Sequence, residues 1–296
     1  MSDRSAAFLA RLREGSILLA DGAVGTMLQA NGLSPSDCPE EWNVSHTSVV
    51  VGIHWAYRKA GSEIILTNTF GGSPSKLAKF GMDARTEELN AAAARNARAG
   101  AGIDGFVLGD IGPTGEILEP YGEADPQVIG EGFRRQVRGL LDGDVDGLIV
   151  QTMMDFEELR IAVEAVRAEC DLPVVASMTF NAVPGGHRTM WGLSAADAAL
   201  KMSELPVVAI GSNCGLSIDQ FPAIVAAMKS NTDKPILAEP NAGMPRLEGD
   251  RTVFDQTPEV FAAHAAQVAA AGARILGGCC GTTPEHIAAL RSALGL

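Results

Sequence analysis

At 296 residues the chain is long enough for one large domain or two ordinary ones, and 46% apolar with 20% charged residues is ordinary globular composition. A formal net charge of -13 excludes the basic footprint that nucleic acid requires and argues equally against an anionic membrane surface. Uncharged apolar runs of membrane-spanning length are absent, Met1 to Arg13 carries scattered charges with no signal-peptide core, and five cysteines follow no disulfide spacing, so a cytoplasmic protein is expected.

Eight short apolar runs punctuate the chain: Ile17-Ala20, Glu63-Thr67, Phe106-Gly109, Gly147-Val150, Pro173-Ser177, Val207-Gly211, Pro235-Ala238 and Arg274-Leu276. Continuous runs of this kind suit strands buried on both faces of a parallel sheet. The stretches between them read as helices. Val49 to Ala60 has helical spacing and stops at Gly61, Thr86 to Gly100 is alanine-rich, and Phe156 to Glu169 alternates apolar and charged turns. Pro258 to Ala271 stops at Gly272, and Pro284 to Leu294 closes the series. Eight alternating units predict a (β/α)8 TIM barrel, an α/β fold in one domain. The loop Asn181 to Trp191, broken by Pro184-Gly185-Gly186, reads as an extended connection.

Barrel enzymes place their chemistry at the C-terminal ends of the strands. Those ends carry Asp21, Asn68, Asp110, Gln151, Thr179, Cys214, Asn241 and the Cys279-Cys280 pair. Three cysteines on strands six and eight supply three thiolates to one tetrahedral zinc with a fourth position open, the pattern of a catalytic site. The alternative is three buried thiols. Cys38, in a polar loop, and Cys170, at a helix end, read as bystanders, and the five histidines fall in loops and helices as surface or packing residues. Zinc (Zn2+) with three cysteinates has a net charge of about -1, which makes it a poor generator of hydroxide and a good holder of a fourth thiol as thiolate. The implied reaction is attack by a substrate thiolate on an electrophilic carbon.

At these residues the chain resembles the homocysteine S-methyltransferase family, which includes betaine–homocysteine methyltransferases and the homocysteine domain of cobalamin-dependent methionine synthase. The matching segments are Leu19-Ala20-Asp21-Gly22-Ala23-Val24-Gly25-Thr26, Leu66-Thr67-Asn68-Thr69-Phe70, Gly112-Pro113-Thr114-Gly115, Ser212-Asn213-Cys214-Gly215, Pro240-Asn241-Ala242-Gly243 and Gly277-Gly278-Cys279-Cys280-Gly281-Thr282. The resemblance implies a homocysteine-binding barrel over residues 1–296, with zinc on Cys214, Cys279 and Cys280 and Asn241 able to fill the fourth position when substrate is absent. It implies that Asp21 contacts the substrate's amino group and that the backbone around Gly22 and Ala23 donates to its carboxylate. Thr26, Asn68, Gln151 and Asn241 complete the substrate-binding set, with Asp21 and Gln151 as the catalytic pair. The family usually has Glu-Thr at the end of strand four, and this chain has Gln151-Thr152. A neutral amide accepts a hydrogen bond from an ammonium but forfeits charge assistance, which leaves the acceptor open between homocysteine and another thiol.

The expected product from homocysteine is methionine. The donor is either a small molecule such as betaine or methylcobalamin on a separate corrinoid protein docked at the barrel mouth; the chain has no Asp-x-His-x-x-Gly cobalamin signature. Betaine calls for an aromatic cage, for which the candidates are Trp42, Trp55, Trp191, Tyr57 and Tyr121; Trp42 and Trp191 lie in loops after strands, while Trp55 and Tyr57 lie in the first helix, where packing is the expected role. Oligomeric state is left open. Two other readings compete: a non-catalytic or corrinoid-partner binding module of a methyl-transfer system, and a zinc hydrolase with Asp110 or Asp21 as base.

Overall fold

Short apolar runs that bury both faces need a layer of helices outside and a packed interior inside, and a closed parallel sheet supplies both. The structure, a computed structural model, describes residues 2–249 and 251–296. Its strands are β1 (Leu18–Leu19), β2 (Ile64–Leu66), β3 (Phe106–Ile111), β4 (Gly147–Met153), β5 (Val174–Met178), β6 (Ala209–Ser217), β7 (Ile236–Asn241) and β8 (Ala273–Leu276). All pair in parallel in the order β1-β8-β7-β6-β5-β4-β3-β2. A parallel bridge from Ala20 to Ile64 brings β1 against β2 and closes the ring. The (β/α)8 TIM barrel expected from the sequence is the observed fold.

The outer helices are α1 (Thr47–Ala60), α2 (Thr86–Ala101), α3 (Pro126–Asp142), α4 (Phe156–Glu169), α5 (Ala195–Ser203), α6 (Phe221–Lys229), α7 (Pro258–Ala263 and Ala265–Ala270, joined at His264) and α8 (Pro284–Leu294). Side-chain caps start several of them, with Asp125, Asp155, Ser194 and Thr257 accepting from first-turn N–H groups. The α7 region differs from the single helix read over Pro258 to Ala271. The loop Asn181 to Trp191 carries an antiparallel hairpin, Asn181–Val183 with Gly186–Arg188, and a second hairpin, Arg246–Glu248 with Arg251–Val253, follows β7. No helix among the described residues is long and apolar enough to cross a membrane.

The interior is one apolar plug. Leu18, Leu66, Leu108, Ile149, Leu237 and Ile275 project inward and pack together. A helix at Asp3–Arg13 was not expected from its scattered charges. Ser2 caps it, and Phe8 and Leu12 drop into the plug from below, Phe8 against Phe106 with ring centroids 5.4 Å apart. Arg4 holds the helix to the buried Asp146 at 2.7 Å, and Arg98 pairs with the same carboxylate. The bottom of the barrel is thereby sealed, and chemistry is confined to the top.

Candidate active site and metal centre

The upper ends of β4, β6 and β7 run past the bounds read from apolarity, because polar residues continue the ladder into the mouth. Both β4 and β6 bulge there. Between the pairs Asn213↔Glu239 and Ser217↔Asn241, residues 214–216 of β6 stand opposite the single Pro240 of β7. Between Val150↔Ala176 and Met153↔Met178, two residues of β4 stand opposite one of β5. Extra residues re-aim a strand's side chains. Here they leave Cys214 and Thr152 in the left-handed region, each at φ 59°, where a non-glycine residue is strained by about 1–3 kcal/mol.

The carboxamide of Asn213, fully buried, binds the two bulges together. Its Oδ1 accepts from Thr152 N at 2.8 Å and from Ser177 Oγ at 2.6 Å; its Nδ2 donates to Thr152 Oγ1 at 2.6 Å and Gln151 Oε1 at 2.9 Å and lies 4.0 Å from Cys279 Sγ. β8 ends in the turn Gly278–Thr282, pinned on both sides. Cys279 N donates to Pro240 O at 2.7 Å, Ala242 N to Cys280 O at 2.9 Å, and Gly278 N to Asp21 O at 3.0 Å. Gly281, at φ 82°, supplies the left-handed residue the turn needs.

These constraints bring the cysteine sulfurs together. Those of Cys214, Cys279 and Cys280 all lie within 4.8 Å of one another, Cys214 to Cys280 at 3.8 Å. A tetrahedral zinc with Zn–S bonds of about 2.3 Å separates its sulfurs by about 3.8 Å, so the trio fits such an ion. Without a cation the three cannot all ionise. Cys214, accepting from Cys279 and Cys280, is pushed down to about 3; the cost falls on Cys279, pushed well up, and on Cys280, pushed up to about 12. Asn241 adjoins the trio, its side chain stabilising the Cys214 thiolate by a hydrogen bond, while its own Oδ1 is buried without a partner.

Beside the sulfurs, one step above the apolar plug, lies a buried acidic layer. Residues two on from inward Leu108, Ile149 and Leu237 also face inward, and they are Asp110, Gln151 and Glu239. Asp21, 1% exposed, joins them, its Oδ2 accepting from Leu66 N at 3.0 Å. Burial raises all three carboxyls: Asp110 to about 7, Asp21 and Glu239 well above the usual carboxylate range, with mutual repulsion adding to the last two. Asp110, Gln151, Glu239 and the three cysteines line one cavity of about 540 Å³, together with the segment from Gly22 to Thr26.

A family model described as homocysteine S-methyltransferase matches residues 18–294. The chain belongs to the homocysteine S-methyltransferase family. Among solved structures, the homocysteine methyltransferase MmuM from Escherichia coli in its metallated form is 26% identical over 96% of this chain and 98% of its own, with a TM-score of 0.76. Its oxidized form matches at a TM-score of 0.77. The carboxyl transferase domain from Rhizobium etli pyruvate carboxylase, 15% identical over 93% of this chain and 41% of its own at a TM-score of 0.54, shares the fold alone.

In this member of the homocysteine S-methyltransferase family, several expected binding residues spend their polar atoms on the scaffold. Thr26 Oγ1 accepts from Gly281 N at 3.0 Å, which ties the β1 loop to the cysteine turn. Ala23 N donates to Thr282 Oγ1 at 3.1 Å. Asn68 Nδ2 donates to Pro39 O at 2.7 Å and Asn43 Oδ1 at 3.3 Å. Gly22 is a close-approach glycine, since a Cβ there would lie 2.6 Å from Thr282 Oγ1 and 2.9 Å from Tyr57 Cε1. The tryptophans stay away from the cavity wall. Trp42 stacks on His46 at 4.1 Å, and Trp191 stacks on Tyr121 at 4.5 Å; the cavity's aromatic residues are Phe70 and Phe80. Cys38, read as a polar-loop bystander, is buried with its S–H donated to Glu40 at 3.4 Å. His54 is fully buried in α1 as a packing residue. Glu239 and Asn213 went unremarked as site residues; a glutamate two positions beyond Leu237, in an otherwise apolar run, was the available signal.

Proposed function

We propose that residues 1–296 act as one homocysteine-binding domain and transfer a methyl group to the homocysteine thiol, forming methionine, with zinc held by Cys214, Cys279 and Cys280. The observation that carries this reading is the convergence of three sulfurs within 4.8 Å of one another on the wall of a cavity with buried carboxylates. Zinc bound there supplies a position at which an incoming thiol is kept ionised at neutral pH. The chain's own residues do the rest. Asp21 orients the amino group, the wall at Gly22–Thr26 faces the substrate's carboxylate, and Asn241, hydrogen-bonded to Cys214, borders the incoming sulfur. The apolar plug and the sealed bottom exclude water from below, so thiolate and donor methyl meet by proximity within the mouth. The thiolate's pair forms the new bond to the methyl carbon as that carbon's bond to the donor breaks and its pair stays with the donor; the sulfur's charge is thereby removed, and the thioether leaves.

A small donor such as betaine suits the cavity volume, and a methylated corrinoid protein at the mouth is the second source. Purified protein with homocysteine and zinc, assayed for methionine with betaine or with a methylated corrinoid protein, tests the reaction; hydrolysis without thiol consumption would replace it with the hydrolase reading. Cys279→Ala is expected to lose both stoichiometric zinc, read by elemental analysis, and methyl transfer. Full zinc retention in that variant would contradict the ligand set.

A further inference from the structure

Gln151, near the upper end of β4, is a neutral amide in the cavity wall and offers no charge to a substrate ammonium. Its amide is also already engaged: Oε1 accepts from Asn213 Nδ2 at 2.9 Å, and the side chain donates to the Asp110 carboxylate. Gln151 therefore faces the cavity as a holder of Asp110. Across the mouth, Glu239 projects inward from β7. Both acids are more than nine-tenths buried, both line the cavity, and each keeps one oxygen, Asp110 Oδ1 and Glu239 Oε1, with no hydrogen-bond partner. Neither forms an ion pair among the described residues. A buried carboxylate with orphaned oxygens is costly unless a ligand satisfies it.

We infer that Asp110 and Glu239 join Asp21 as the receptor for the ammonium group of the thiol substrate, ionising on β3 and β7 as that cation arrives and so supplying the charge that β4 lacks, with Gln151 as the residue that positions Asp110. This rests on the methyltransferase reading above and deepens it. The orphaned atoms are acceptors, and an ammonium brings three N–H donors to them. The quaternary ammonium of betaine brings none, so against betaine the oxygens select the amino acid. A glutamate at 151 beside Asp110 would lose the amide donor and set two like charges together. Charge on β4 and charge on β3 are thus alternatives, and the acceptor is an α-amino thiol despite Gln151.

The test compares, by titration calorimetry on the zinc-loaded full chain, homocysteine with 4-mercaptobutyrate, which keeps the thiol and carboxylate and lacks the ammonium. The wild type is expected to prefer homocysteine by about tenfold or more, the worth of a charge-assisted hydrogen bond. Asp110→Asn and Glu239→Gln should each lose most of that preference while binding 4-mercaptobutyrate as before, which shows that the fold and metal site are intact. Gln151→Glu alone should give no gain, and Gln151→Glu in the Asp110→Asn background should restore the preference. An unchanged preference in both single variants, or equal loss of both thiols, overturns the assignment. A wild type that binds neither thiol brings down the methyltransferase reading itself, a result distinct from the other two.

Discussion

Asn213 lies between two residues whose backbones are left-handed, Thr152 and Cys214, and bonds to one while preceding the other. Its removal leaves buried polar groups on β4 and β5 unmet, at about 1–3 kcal/mol. Asn213→Ala is expected to lower the urea midpoint accordingly and to reduce zinc retention, because the bonds that tie the Cys214 bulge of β6 to the Thr152 bulge of β4 are then lost. Asp110 gives a pH signature. Its carboxyl, ordinarily at 3.8, is raised to about 7 by burial, so the stability of its protonated form is complete below pH 4 and is lost as the pH climbs to 7 and just beyond. His54, pushed down to about 4 by burial, acts oppositely, its contribution failing as pH falls from 6.5 toward 4. The two slopes oppose each other over much of the range, so the measurement is the difference in unfolding free energy between wild type and Asp110→Asn. That difference should change by up to about 1.4 kcal/mol per pH unit between pH 4 and 7 and be flat outside it; a flat difference throughout would refute the shift.

At the scale of elements, α1 and α2 pack where a side chain at Gly100 has no room: a Cβ there would collide with His54 Cβ and lie 2.9 Å from Trp55 N. Gly100→Ala improves helix propensity yet should destabilise the protein by about 1–3 kcal/mol through overpacking, read as a lower thermal midpoint. The eight strands were legible because each is a β-rich apolar run buried on both faces, and Phe156–Glu169 and Pro284–Leu294 were legible to the residue. What could not be read was how far β4, β6 and β7 continue. Gln151, Asn213 and Glu239 look like strand ends in a polarity pattern, yet they are interior positions of a mouth whose inner wall is polar. The Asp3–Arg13 helix was hidden for the converse reason, since two apolar residues, Phe8 and Leu12, suffice to dock it.

Over the whole molecule, the cysteine trio and the Asp3–Arg13 helix lie at opposite ends of one cylinder. Phe8→Ala should cost about 3–5 kcal/mol by opening the bottom, with thiol affinity less affected than the melting temperature. The proposed zinc would join β6 to β8 across β7 and bind the folded chain alone, so chelation should lower the melting temperature by several degrees and added zinc restore it. The cysteine trio was readable from strand-end positions alone. The bulges that aim Cys214 were not, because they arise from unequal residue counts between neighbouring strands, which is a property of pairing.

Asp21 accepts the Leu66 amide at the place where β1, two residues long, has run out of backbone to offer β2. The carboxylate proposed to receive the substrate's amino group is therefore also the last stitch in the seam of the cylinder. Drawing on that carboxylate must tug the stitch, so the nitrogen-15 resonance of Leu66 should act as a built-in gauge of occupancy, readable without any methyl donor present.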